Sequence, residues 1–149
     1  MTYKREITTH CEAETQALAA ILAGEAQAGL VIGLTGPMGA GKTAFTRGFV
    51  SALGQEASSP TFTIVHEYAT QPIVYHFDFY RLQQKEELED IGFEEYLLAN
   101  GIIIAEWPKD FLPIEQLAVV LCTEAWDERK ILLTATGELH INWLKRCGL

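Results

Sequence analysis

The chain has 149 residues, enough for one compact domain and too few for a multidomain machine. Hydrophobic residues make up 48% and charged residues 21%, which excludes a disordered or low-complexity protein. Eleven basic against twenty acidic residues leave a net charge of −9, so unaided binding to nucleic acid, DNA included, or to an anionic membrane is not expected.

In chain order, Ile7 to Thr9 has the look of a strand end, and Thr9 followed by Glu12 has capping-box form ahead of an Ala- and Leu-rich helix over Ala13 to Ala28. Leu30 to Thr35 is a continuous apolar run, as expected of a strand covered on both faces. Helical spacing of Phe45, Phe49 and Val50 marks a helix from Lys42 to Leu53, with Gly54 as its stop. Thr61 to Tyr68 and Ile73 to Phe79 are β-rich and flank a short turn with Pro72, which predicts a hairpin. Lys85 to Asp90 and Phe93 to Ala99 have helical character, broken near Gly92. Ile102 to Ala105 is a second buried-strand run, ended by Pro108. Leu117 to Cys122 and Lys130 to Thr136 flank the polar segment Glu124 to Glu128, a second hairpin, and Glu138 to Arg146 closes the chain as a helix. The pattern predicts an α/β fold: one domain over 1–149 with a mostly parallel central sheet and an antiparallel portion.

Cys11, Cys122 and Cys147 form no CxxC pair and are odd in number, which fits free thiols in a reducing compartment. No apolar run is long enough to span a bilayer. The expected location is the cytoplasm.

Gly36-Pro37-Met38-Gly39-Ala40-Gly41-Lys42-Thr43 matches GxxxxGK[ST] between an apolar strand and a helix, where the phosphate-binding loop requires it. Glycines let backbone N–H groups turn toward phosphate oxygens, and the helix start at Lys42 to Ala44 adds its positive end. Lys42, expected to face solvent, would neutralise the β- and γ-phosphates, and the Thr43 hydroxyl would help hold Mg²⁺. The expected ligand is ATP with Mg²⁺.

Such a loop needs an acidic group at the end of a neighbouring strand. Asp78 and Glu106 each close an apolar run. One would meet the metal, directly or through water, while the other orients the attacking water. His76, two residues before Asp78, is assigned first to packing, with tuning of the site as the alternative. Trp107 is assigned to packing or to stacking on a nucleotide or partner. Arg47 and Arg81 are read as surface charges, with stabilisation of transferred charge as the alternative.

Together with Ser59-Pro60-Thr61-Phe62-Thr63, His76-Phe77-Asp78-Phe79-Tyr80-Arg81-Leu82 and Glu106-Trp107-Pro108, the loop makes the chain resemble the TsaE family from about Leu30 to Pro108. These are the bacterial ATPase subunits of tRNA threonylcarbamoyladenosine biosynthesis. The resemblance implies a P-loop ATPase, weak alone, that works in a complex with the threonylcarbamoyl transferase and its paralogue. That complex modifies the adenosine beside the anticodon of tRNAs reading codons that begin with A. It further implies that Lys42, Asp78 and Glu106 are catalytic, that Thr43, Asp78 and Glu106 serve the metal, and that Ser59 and Thr61 belong to a switch-like segment. Thr15, Trp107, Lys109 and Arg129 would approach the nucleotide. The alternatives are a nucleotide-gated scaffold without essential hydrolysis and a small-molecule kinase. The five scattered arginines speak against the arginine-rich clamp a kinase needs. The lack of an NKxD-like motif speaks against a GTPase.

Overall fold

A computed structural model describes residues 1–57 and 64–149. The elements run β1 (Thr2–Thr9), α1 (Glu12–Gly24), β2 (Val31–Thr35), α2 (Lys42–Ala52), β3 (Val65–Tyr68), β4 (Val74–Asp78), α3 (Glu87–Asp90), α4 (Phe93–Leu98), β5 (Ile102–Glu106), β6 (Leu117–Ala125), β7 (Glu128–Thr136) and α5 (Glu138–Arg146). The seven described strands form one sheet in the order β1-β7-β6-β2-β5-β4-β3. Its centre is parallel: β2 lies between β5 and β6, and β4 follows β5. Both flanks are antiparallel, β3 against β4 and the β1-β7-β6 ribbon on the other side. The expected α/β architecture is therefore present.

The central strands are apolar throughout because both faces are covered. Along β5, Ile102 and Ile104 enter one apolar cluster while Ile103 and Ala105 enter the other, as the two-residue period of a strand requires. The first cluster joins the sheet to α1, α2 and α5 through Leu22, Phe45, Phe49 and Trp143, and the Trp143 indole N–H donates to Leu22 O at 3.0 Å. On the opposite face Phe77, Phe79 and Phe93 meet edge to face or tilted, with ring centroids 5.0 to 5.4 Å apart. The β6-β7 ribbon shows the alternative pattern, with Leu117, Val119 and Leu121 buried and their neighbours partly exposed. One face of that ribbon is wet, as antiparallel sheets allow.

Four expectations need correction. The Thr9–Glu12 capping box does not form. Cys11 is the N-cap of α1 without a side-chain cap bond, Thr9 Oγ1 pairs with Thr15 Oγ1 at 2.8 Å, and Glu14 Oε1 accepts the His10 N–H at 2.8 Å. Helix α1 ends at Gly24 rather than Ala28. The second hairpin is longer than expected: Ala125 still pairs with Glu128, leaving only Trp126 and Asp127 at the tip. Finally, Lys42 is 6% exposed rather than solvent-facing. The first part of Thr61 to Tyr68 lies outside the described residues, and β3 within it pairs with β4 as expected.

Candidate active site

The parallel strands β2, β4 and β5 end on the same side of the sheet, where open α/β sheets gather ligands. Strand β2 delivers the loop 36–41, β4 ends on Asp78 and β5 on Glu106. Asp78 and Glu106 are register partners across the β4-β5 pair, so backbone pairing alone brings the carboxylates together.

The loop can wrap because Gly39 and Gly41 adopt φ of 79° and 113°, conformations that a side chain disfavours. Gly41 is the N-cap of α2, and Phe45 N donates to its carbonyl at 2.9 Å. Backbone N–H groups at the start of α2 therefore face the crevice without intrahelical partners. That is an anion cradle.

Lys42 curls over this loop. Its ammonium donates to Gly36 O, and to Pro37 O at 3.1 Å, and it lies 4.2 Å from the centre of the Trp107 ring. Burial pushes the Lys42 pKa down, and the charges of Glu106 and Asp78 oppose that push. The lysine is thus a desolvated cation held near two carboxylates yet in no ion pair with either among the described residues. A phosphate would supply the charge partner it lacks.

Each carboxylate has its own restraint. Asp78 Oδ1 accepts the Tyr80 N–H at 3.0 Å. Glu106 Oε2 lies 3.0 Å from His76 Nε2, and because a carboxylate only accepts, the imidazole proton is on Nε2. The assignment of His76 to plain packing is therefore corrected. Trp107 takes φ of 56° and stacks, tilted, 5.1 Å from Tyr80, so it belongs to the wall of the site rather than to the core.

A cavity of about 660 Å³ occupies this crevice, large enough for a nucleotide. Met38 to Ala44 form its floor, including Gly39, Ala40, Gly41, Lys42 and Thr43, while Asp78, Glu106 and Trp107 form one wall. The opposite wall is made by Thr15 with the chain before α1, and by Asp127 and Arg129 from the β6-β7 hairpin. Arg129 also reaches Gly39 O at 3.4 Å. Gly36 lies behind the loop, its carbonyl spent on Lys42.

The structure does not bring every expected residue here. Lys109 is absent from the lining; its ammonium donates to Leu82 O instead. Arg47 is 3.9 Å from Glu12 on the surface, and Arg81 is exposed outside the cavity. Ser59 and Thr61 lie outside the described residues. His10, Cys11, Glu12, Tyr80 and Asp127 line the cavity although the sequence assigned none of them to the site. Only the spacing of Tyr80 from Asp78 offered a signal.

The donor set fits a magnesium nucleoside triphosphate. Among the described residues no group of three or more His, Cys, Asp or Glu side chains could hold a metal alone. Mg²⁺ is ordinarily bound by one or two carboxylates with phosphate oxygens and waters, and Thr43, Asp78 and Glu106 would supply that share. Among the described residues no helix is long and apolar enough to cross a membrane.

The chain is similar to known proteins in sequence and in fold. The profile of the family described as threonylcarbamoyl adenosine biosynthesis protein TsaE matches residues 9–131. The tRNA threonylcarbamoyladenosine biosynthesis protein TsaE of Bacillus subtilis (strain 168) is 42% identical over 133 residues, 85% of this chain and 83% of that protein. The protein of the same name from Haemophilus influenzae is 39% identical over 118 residues, 76% of this chain and 75% of its own length. The crystal structure of Bacillus subtilis YdiB superposes with a TM-score of 0.85 at 34% identity, covering 99% of this chain and 96% of that one.

Proposed function

This chain belongs to the TsaE family of tRNA threonylcarbamoyladenosine biosynthesis proteins, and on that premise we propose that it is the subunit that binds and hydrolyses ATP with Mg²⁺ during that modification. The observation that carries the reading is the desolvated Lys42 ammonium above a loop of inward-facing backbone donors, with Asp78 and Glu106 one strand apart beside it.

In this reading the loop N–H groups bind the phosphates, and Lys42 leaves the Gly36 and Pro37 carbonyls to neutralise the β- and γ-phosphates. Thr43, with Asp78 or Glu106, would hold Mg²⁺, which when bound supplies charge neutralisation on the transferred phosphoryl group. The second carboxylate orients the water that attacks. Trp107 and Tyr80 shield one side of the crevice, while Thr15 and Arg129 close the other. The kinase alternative has little support: of the arginines considered, only Arg129 lines the cavity, and one guanidinium is a poor clamp for a second anionic substrate.

The partners in this reading are the threonylcarbamoyl transferase and its paralogue. The tRNA is reached only through them, at the adenosine beside the anticodon in tRNAs reading codons that begin with A. Hydrolysis is slow alone and raised in the complex. The test is single-turnover ATP hydrolysis with and without the two purified partners. Stimulation that Lys42→Ala abolishes supports the reading, and modification that proceeds equally well with Lys42→Ala favours a scaffold.

A further inference from the structure

We propose that His76 is a positioning residue for Glu106, holding one carboxylate oxygen so that the other is presented to the Mg²⁺-and-water side of the crevice. The inference rests on the ATP–Mg²⁺ reading above and deepens it.

The position of His76 argues against simple packing. On β4, Val74, His76 and Asp78 share a face, and Val74 on that face belongs to the apolar cluster that also holds Ile102 and Ile104 of β5. The sheet register sets His76 opposite Ile104. A residue chosen only to fill this wall would be aliphatic like its neighbours, since an imidazole 4% exposed loses its hydration. One polar contact compensates: Nε2 to Glu106 Oε2 at 3.0 Å, while Nδ1 is buried without a hydrogen-bond partner. The ring therefore has one polar task among the described residues.

That task has a chemical consequence. Glu106 sits two register pairs beyond Ile104, on the same strand face and paired with Asp78, so its carboxylate lies diagonally across the strands from His76. With one lone pair of Oε2 engaged and that oxygen turned to the imidazole, Oε1 is the oxygen left for water or a cation on the crevice side. The bond also restricts the side chain within reach of the Lys42 charge, with which it makes no ion pair. Lys42 is restrained separately by two carbonyls and the Trp107 ring. Opposite charges that would otherwise neutralise each other are kept apart by separate anchors, and the site stays organised for a ligand that needs both.

The test uses calorimetric binding of a non-hydrolysable ATP analogue at increasing Mg²⁺, beside hydrolysis and thermal unfolding. His76→Leu keeps the volume and removes the donor, whereas His76→Gln places an amide N–H where Nε2 stood. His76→Leu should raise the Mg²⁺ concentration for half-maximal tight binding by about 10–100-fold, the usual effect of losing an outer partner of a metal site. At saturating Mg²⁺ it should also lower kcat, because Glu106 Oε1 is no longer held toward the Mg²⁺-and-water side. His76→Gln should restore most of both. In the Glu106→Gln background, His76→Leu should have no further effect, because the two act as one unit. If His76→Leu does not fold, His76→Asn, whose amide is too short for the same bond, replaces it in comparison with His76→Gln.

Unchanged Mg²⁺ dependence in His76→Leu, equal impairment of the Leu and Gln variants, or a full effect without Glu106 would each overturn the proposal. A wild-type protein whose analogue binding ignores Mg²⁺ would instead overturn the reading on which it rests.

Discussion

Gly48→Ala tests whether the site depends on how closely α1 approaches α2. Gly48 is buried in α2, and a Cβ there would stand 2.3 Å from Gln16 O and 2.6 Å from Gln16 Cα, both backbone atoms of α1. Ordinary van der Waals contact begins near 3.4 Å, so the helices would have to part by about 1 Å. Ala is intrinsically better than Gly inside a helix by about 1 kcal/mol, but inserting a methyl into a filled interface costs about 1–3 kcal/mol and more where backbone must move. The net expectation is a loss of about 1–2 kcal/mol and a fall in Tm of about 2–8 °C for a domain of this size. Because Gln16 is followed back one residue by Thr15 in the cavity wall, nucleotide affinity should weaken as well. Gly24→Ala is the control: a Cβ there meets nothing within 4 Å, so it should raise stability by about 0.4–1 kcal/mol. Paired thermal and urea unfolding measure both. A Gly48→Ala protein as stable as the wild type, or more stable, would refute the close-approach argument.

Lys42→Ala should abolish hydrolysis with the fold retained, checked by ATP turnover beside circular dichroism, because its hydrogen-bonding acceptors can take water instead. Glu106→Gln should weaken Mg²⁺-dependent binding or turnover without loss of stability, read by calorimetry and unfolding. His140 gives a pH dependence. It accepts the Val31 N–H at Nε2 (3.0 Å), and burial pushes its pKa down to about 4. The unfolded chain therefore takes up this proton first: stability should be full above about pH 6.5, fall toward pH 4 and lose nothing further to this group below that, by about 1–2 kcal/mol once solvent screening is allowed for. His140→Gln should flatten that part of a stability–pH curve. The isolated chain should bind tRNA no more tightly than the ~1 µM to ~100 µM of non-specific association at about 0.15 M salt, by filter binding, since its net charge is −9.

What the sequence makes legible here is what is local. The loop from Gly36 to Thr43 is eight consecutive residues that match one motif, and the flanking apolar run and helix periodicity place it. Asp78 and Glu106 are legible because each ends an apolar strand, and strand ends on parallel strands converge. His76 was misread because its partner lies 30 residues away and meets it only through the β4-β5 register. The Thr9 hydroxyl was misread for the opposite reason: capping-box spacing is a local signal, and the tertiary pairing with Thr15 won. Lys42 was expected in water because a lysine alone in sequence carries no sign of the carbonyls and indole that enclose it. Lys109 was placed near the nucleotide by the resemblance alone; Trp107 and Lys109 both take positive φ, and the Lys109 ammonium donates to Leu82 O.

The central claim is that one crevice holds a magnesium nucleotide between the loop and the paired carboxylates. A crystal structure with a non-hydrolysable ATP analogue and Mg²⁺ tests it most directly. The account predicts the terminal phosphates within hydrogen-bond distance of Lys42 Nζ and the loop N–H groups, and the ion about 2.1 Å from Thr43 Oγ1. Glu106 and Asp78 should each lie within about 6 Å of the ion, directly or through one water. An analogue bound elsewhere, or a metal with both carboxylates beyond that distance, would contradict it.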